Sequence, residues 1–212
     1  MTESSQAARR GRVFVIAAPS GAGKTSLLRA LMARETGLGF SVSYTTRQPR
    51  PNEVAGRDYF FVSPERFEAM IAAGDFVEHA RVFDNYYGTG KATVESALAE
   101  GRDLVLEIDW QGARQVRARL PEARHIFILP PSLASLEARL RKRSTDSEAV
   151  IQRRLRDSVQ ELSHWREFDF VVINDDFELA LEDLQAIVRG EGDDHRSDRP
   201  GLAEFAATLL RG

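Results

Sequence analysis

The chain has 212 residues, 42% of them hydrophobic and 29% charged, with a formal net charge of −3. That length and apolar content allow one domain with a sizeable core, and the slight negative charge argues against nonspecific nucleic-acid binding, so no nucleic-acid partner is expected. There is no cysteine, which excludes disulfides, thiolate metal sites and cysteine nucleophiles together. No apolar run reaches the roughly 20 residues that cross a bilayer, and the polar start "MTESSQAARRGR" lacks the apolar stretch of a secretory signal. A soluble cytoplasmic protein with no membrane partner is expected.

Residues 1–11 read as a disordered leader. "RVFVIAA" (12–18) is rich in β-branched residues and runs into glycines, which predicts a buried strand. "KTSLLRALMARE" (24–35) then carries apolar residues at helical spacing. Further apolar runs at Leu104–Ile108, His125–Leu129 and Phe170–Ile173 alternate with helical patterns, the signature of a parallel sheet covered on both faces. Residues 40–97 break that rhythm with short strand-like pieces and one helical segment near Pro64–Ala73, and read as a β-rich lobe inserted in the α/β core. Residues 132–168 are charged and helical in pattern, interrupted at Ser144-Thr145-Asp146, which predicts a lid of two helices. The core is then 12–39, 98–131 and 169–188, followed over 189–212 by a polar linker and a short amphipathic helix. The sequence leaves monomer or homo-oligomer open.

The octapeptide "APSGAGKT" joins the first strand to the first helix. Glycines at 21 and 23 let backbone N–H groups turn inward, and a helix N-terminus beginning near Lys24 favours an anion. In a P-loop of this kind Lys24 reaches the terminal phosphates and the Thr25 hydroxyl ligates a Mg²⁺ that arrives with the nucleotide. The expected ATP contacts are Ala18, Pro19, Ser20, Gly21, Ala22, Gly23, Lys24, Thr25 and the following Ser26. Ala18 stands where the pattern usually has glycine. By itself the loop does not separate a kinase from a GTPase or a nucleotide-holding scaffold.

A second set of residues narrows the choice. "SVSYTTRQPRPNEVAGRDYFFV" holds Arg47 and Arg50, stiffened by prolines at 49 and 51, with Tyr59 beyond them; guanidinium groups suit bidentate contact with a phosphate. In order, "SVSYTTRQPR", "GRDYFFV", "FVEHARVFDNYYGT", "EIDWQG", "RLRKRSTDSEAVIQRRL" and "VINDD" resemble the guanylate kinase family, over about residues 12–188. The resemblance implies a P-loop kinase core with a parallel sheet flanked by helices, an inserted β-rich GMP-binding lobe and a helical lid. It also implies transfer of the ATP γ-phosphate to GMP, with ATP, GMP and Mg²⁺ as partners.

By that resemblance Arg47, Arg50, Tyr59 and Tyr87 would hold the GMP phosphate, and Ser43, Glu78, Thr89 and Asp109 would read guanine. Glu78 and Asp109 would accept from the N1–H and 2-amino donors; Ser43 and Thr89 would donate to O6. The catalytic set would be Lys24 with lid arginines Arg139, Arg143 and Arg154, and Asn174 would lie near the adenine. Each residue also has a plain structural reading: Asp109 as a helix cap, Arg139 and Arg143 as a solvated helix face, Asn174 as a strand-end turn. Glu107, where the family usually has Asp, and Ser144, where it often has Gly, are departures. A noncatalytic relative that binds a partner protein and a kinase acting on a sugar bisphosphate remain as alternatives.

Overall fold

A computed structural model of the chain describes residues 9–82, 84–143 and 148–211, with Arg143 described in its backbone only. The first strand, β1 (Val13–Ala17), is buried at every position. Its alternate side chains serve two cores, Val13, Val15 and Ala17 on one face and Phe14 and Ile16 on the other. A strand covered on both faces has no need of alternation, which is why its sequence reads as an unbroken apolar run. It lies at the centre of a parallel sheet, with β2 (Leu38–Phe40) and β7 (Asp103–Glu107) to one side and β8 (Arg124–Leu129) and β9 (Phe170–Ile173) to the other.

One face of the sheet is covered by α1 (Lys24–Arg34), α7 (Phe177–Arg189) and α5 (Leu133–Arg143), through Leu27, Leu31, Leu136, Leu140, Leu184 and Ile187. The other is covered by α3 (Lys91–Ala99), α4 (Trp110–Arg119), the end of α6 (Glu148–Leu162) and α8 (Leu202–Arg211), through Val94, Leu98, Val116, Leu162, Leu202 and Leu209.

The inserted lobe is a second sheet of order β4-β3-β6-β5, made of β3 (Tyr44–Thr45), β4 (Phe60–Phe61), β5 (Phe76–Val82) and β6 (Asn85–Gly90). Against it packs α2 (Pro64–Ala73), started by Pro64 and the Ser63 side-chain cap. Its small core is aromatic: the Phe67 ring stacks on Phe76 at 4.5 Å and on Tyr86 at 5.3 Å. A Cβ on Gly88 would strike the Phe67 and Phe76 rings, so glycine there lets β6 lie close over them.

Three boundaries differ from the sequence expectation. The lobe's edge at 97 moves back to Gly90, because α3 buries Val94, Ala97 and Leu98 in the main core. Residues 9–11 of the expected leader are held, with Gly11 N donating to Leu98 O at 3.0 Å and Arg9 paired to Asp103; residues 1–8 lie outside the described residues. The polar linker is packed: Ser197 N donates to Asp169 O at 2.9 Å and Arg199 Nη1 to Val171 O at 2.8 Å.

Those contacts deliver α8 to the core of its own chain. Leu202 is 3% exposed, so Leu202→Ala removes packed atoms and is expected to cost about 2–3 kcal/mol of folding free energy. Urea unfolding measures this; an unchanged midpoint would mean that α8 is not part of the cooperative core.

Candidate active site

The site is built outward from the phosphate loop. Gly21 and Gly23 have φ of 90° and 95°, a region that only glycine enters without strain. Turning the loop amides inward drives the Ala22 carbonyl outward into protein. There it accepts from Asn174 Nδ2 at 2.7 Å and Arg139 Nη1 at 3.4 Å. Arg139 Nη2 also donates to Asn174 O at 3.0 Å, and Asn174 is 4% exposed. Arg139, expected over the ATP phosphates, therefore holds the loop from behind. With Gly21, Gly23, Ser26, Lys142, Asp175 and Phe177, these two residues line a hollow of about 280 Å³ on that side. The turn after β9 is closed by Asp176 rather than Asn174, its Oδ1 accepting from Glu178 N and Leu179 N. The Arg143 side chain and Ser144 lie outside the described residues.

In front of the loop is a cleft of about 300 Å³. Of the expected residues it brings together Ala18, Pro19, Ser20, Gly21, Gly23, Lys24 and Thr25 from the loop side, Ser43, Tyr59, Glu78 and Tyr87 from the lobe, Asp109 from the start of α4, and Arg154 from α6. The parallel register of β1 with β7 sets Glu107 opposite Ile16. Glu107 Oε1 then accepts from Thr25 Oγ1 at 3.1 Å and lies 3.8 Å from Lys24 Nζ. Lys24 also reaches Ile108 O at 3.4 Å.

Glu78, on β5, is 3% exposed. Burial pushes its pKa up to about 7; the Thr89 hydroxyl pulls the other way and the nearby Asp109 charge adds to the rise. The antiparallel register pairs Glu78 with Thr89, and Thr89 Oγ1 donates to Glu78 Oε1 at 2.6 Å. That proton is committed, so Thr89 anchors the carboxyl in place of the expected donor role to a base oxygen. Asp109 does cap α4, its Oδ1 accepting from Gly112 N at 2.8 Å, and an ionised carboxylate keeps further lone pairs for the cleft. A Cβ on Gly112 would come within 2.5 Å of Glu78 Oε2. The glycine of "DWQG" makes the room that Glu78 occupies.

Arg47 and Arg50 are organised by a residue that the sequence reading passed over. Glu53 Oε1 accepts from Arg47 Nη2 at 2.8 Å and its Oε2 from Arg50 N at 2.8 Å. The Arg47 bond, before the Arg50 amide, holds the Glu53 carboxyl below its usual range. The Arg47 guanidinium lies 5.3 Å over the Tyr59 ring, and Tyr59 meets Tyr87 edge-on at 6.0 Å. Arg50 is exposed and lines an adjoining hollow of about 440 Å³ that shares Thr25, Ser43, Tyr59 and Glu107 with the cleft. The signal for Glu53 was its place in "RQPRPNE", a carboxylate three residues beyond Arg50. Among the described residues no group of three or more His, Asp or Glu is placed to hold a metal, and no helix is long and apolar enough to cross a membrane.

The model of the guanylate kinase family matches residues 10–191. The guanylate kinase of Methylococcus capsulatus is 56% identical over 201 residues, 95% of this chain and 98% of that protein. That of Hahella chejuensis is 57% identical over 182 residues, 86% of this chain and 88% of that one. Among solved structures, a guanylate kinase from Anaplasma phagocytophilum superposes with a TM-score of 0.70 at 32% identity, covering 94% of this chain and 95% of the other.

The loop's conformation generates one test of its own. In Gly23→Ala the new Cβ meets both a positive φ and the Asn174 side-chain amide. We expect a loss of about 1–3 kcal/mol in stability, read by thermal unfolding. A variant as stable as the parent would contradict the loop geometry.

Proposed function

We propose, for a chain that belongs to the guanylate kinase family and catalyses ATP-dependent phosphorylation of GMP to GDP, that the cleft aligns the two nucleotides for direct in-line transfer of the γ-phosphate. The observation that carries this assignment of the site is the buried Glu78 beside Asp109, in the same cleft as the phosphate loop. Guanine presents two adjacent donors, N1–H and the 2-amino group, and Glu78 with Asp109 offers acceptors only. Adenine presents a lone pair at N1, which an acceptor repels. Ser43 is left to donate to O6, while Thr89 holds Glu78.

The GMP phosphate lies against Arg47, Arg50, Tyr59 and Tyr87, with Glu53 fixing the Arg47 guanidinium and the backbone at Arg50. The ATP phosphates take the loop amides and Lys24, at the positive end of α1. The donor set suits a hard cation: the adjacent oxygens of Thr25 and Glu107 would hold a Mg²⁺ that arrives with ATP, though two are too few for a protein cage. Bound there, Mg²⁺ neutralises phosphate charge. Lys24 and Arg154 supply positive charge around the moving group, and Arg139 and Asn174 hold the loop that aims it. Phosphoryl transfer needs alignment more than covalent help, and the GMP phosphate is already an anionic nucleophile, so no general base is assigned. No residue is assigned to the ribose 2′-hydroxyl, and dGMP is expected to serve as an acceptor.

The test is ADP release from Mg·ATP with GMP, dGMP, AMP, UMP or dTMP as acceptor. GMP and dGMP are expected to turn over, with AMP disfavoured by about 10⁴-fold because a donor-reading site is left unpaired. Glu78→Ala should erase that preference. Comparable rates with AMP and GMP would remove the carboxylates from base reading.

Glu78 must be ionised to accept both donors. With a pKa near 7 in the folded chain, kcat/KM for GMP should fall about tenfold per unit as pH drops below that value. A profile flat from pH 5.5 to 8 would exclude Glu78 as the acceptor. Glu53→Gln should raise KM for GMP about tenfold, the loss of one charge-assisted bond, and leave KM for ATP unchanged. Equal changes in both constants would make Glu53 a general structural residue.

A further inference from the structure

The lid helix α6 meets the phosphate loop at Ser20. Ser158 Oγ donates to Ser20 O at 3.2 Å, and Ser20 N donates to Glu161 Oε2 at 3.2 Å. Ser158 and Glu161 are three residues apart and so share a helix face, and both line the cleft. An ionised carboxylate can only accept hydrogen bonds. Phosphate oxygens arriving on the loop are acceptors as well, so an ionised Glu161 would face them with charge repulsion and no donor.

We propose that Glu161 joins the nucleotide site as a neutral acid: as the ATP phosphates enter it takes up one proton from solvent, keeps the Ser20 N–H on its carbonyl oxygen, and donates its O–H to a phosphate oxygen. This rests on the reading that the loop holds the ATP phosphates. The surroundings favour the step. Burial pushes the Glu161 pKa up to about 7, with Lys24 and the Ser20 amide lowering it and the Asp109 and Asp157 charges raising it. The charged groups on the cleft wall around it are Lys24 from α1, Glu78 from β5, Glu107 and Asp109 between β7 and α4, and Arg154 and Asp157 from its own helix.

Two charged clusters on neighbouring elements are engaged with other partners. On α5, Arg139 is engaged by the Ala22 and Asn174 carbonyls. In the turn after α6, His164 and Glu167 pair with each other and with Arg114. A polyanion entering this wall adds negative charge and moves the carboxyl further toward its protonated form.

Glutamine carries a carbonyl acceptor and an N–H donor on the same frame and so imitates the neutral acid, whereas alanine supplies neither. The experiment is titration calorimetry of the whole chain with Mg·ATP alone, in buffers of different ionisation enthalpy, for the parent, Glu161→Gln and Glu161→Ala. At about pH 7 the parent is expected to take up about half a proton more than Glu161→Gln, as a group half-ionised before binding requires. Glu161→Gln should match the parent near pH 6 and bind about tenfold more tightly near pH 8, where the parent must first be protonated.

Equal proton counts in the parent and Glu161→Gln, or binding by Glu161→Gln no better than by Glu161→Ala, would overturn the inference. If Glu161→Ala fails to fold, the proton count of Glu161→Gln decides alone. Lys24→Ala separates the two levels of the argument. Unchanged ATP binding in that variant rejects the loop reading, while lost binding together with equal proton counts rejects only the role of Glu161.

Discussion

The architecture of the site depends on satisfying one carbonyl. A loop that turns successive N–H groups toward a phosphate must point a C=O the opposite way, and a buried carbonyl without a partner costs free energy comparable to a lost hydrogen bond. Here that group is the Ala22 carbonyl, and its partners are Asn174 and Arg139. Asn174 is the residue after β9, tied by its own N–H to Leu129 O at 2.8 Å at the end of β8. Arg139 lies on α5. One backbone oxygen thereby fixes the loop to two sheet strands and to that helix. The adjoining hollow on that side inherits its shape from the same contacts.

Positioning by carboxylates is the second organising feature, and it explains how an acidic chain presents a phosphate site. Glu53 holds the Arg47 guanidinium and the Arg50 backbone N–H, Glu107 sits between Lys24 and Thr25, and Asp109 starts α4 while facing the cleft. For Arg47, Thr25 and Lys24 the acid orients a side-chain donor that would otherwise sample several rotamers, which lowers the ordering cost of binding. The lobe's aromatic core does the same for the backbone. Phe67, Phe76 and Tyr86 fill the space under β5 and β6, so that Glu78 and Thr89 come into register across the two strands.

How legible this was follows the range of the forces involved. The strand, glycine loop and helix were readable because each is local: an apolar run, two glycines at positive φ, and a helical period starting at Lys24. The pairing of Arg47 and Arg50 with a phosphate could be argued from guanidinium chemistry, and the guanine readers from an ordered likeness to one family. Contacts that join distant segments were not readable. Nothing near residue 139 says that its guanidinium will meet a carbonyl 117 residues away, and nothing near Gly112 says that Glu78 will need its space. The linker from 190 to 201 looked free because it is polar. Its polar groups are spent on backbone partners at Asp169 and Val171, which composition does not reveal.

The two acids of the cleft with raised pKa values carry opposite demands, and this sets how the site behaves. The guanine-accepting role proposed for Glu78 requires it ionised, while the role proposed for Glu161 requires it neutral. Burial lifts both toward the same value, and the Asp109 charge contributes to each. In the empty cleft the window in which one is charged and the other is not is therefore narrow. Substrates widen that window. In the proposed roles the donors of guanine would stabilise the Glu78 carboxylate and draw its pKa down, whereas the ATP phosphates would drive that of Glu161 up. The protonation pattern that suits transfer is thus most strongly favoured when both nucleotides are in place, which ties the charge state of the cleft to its occupancy.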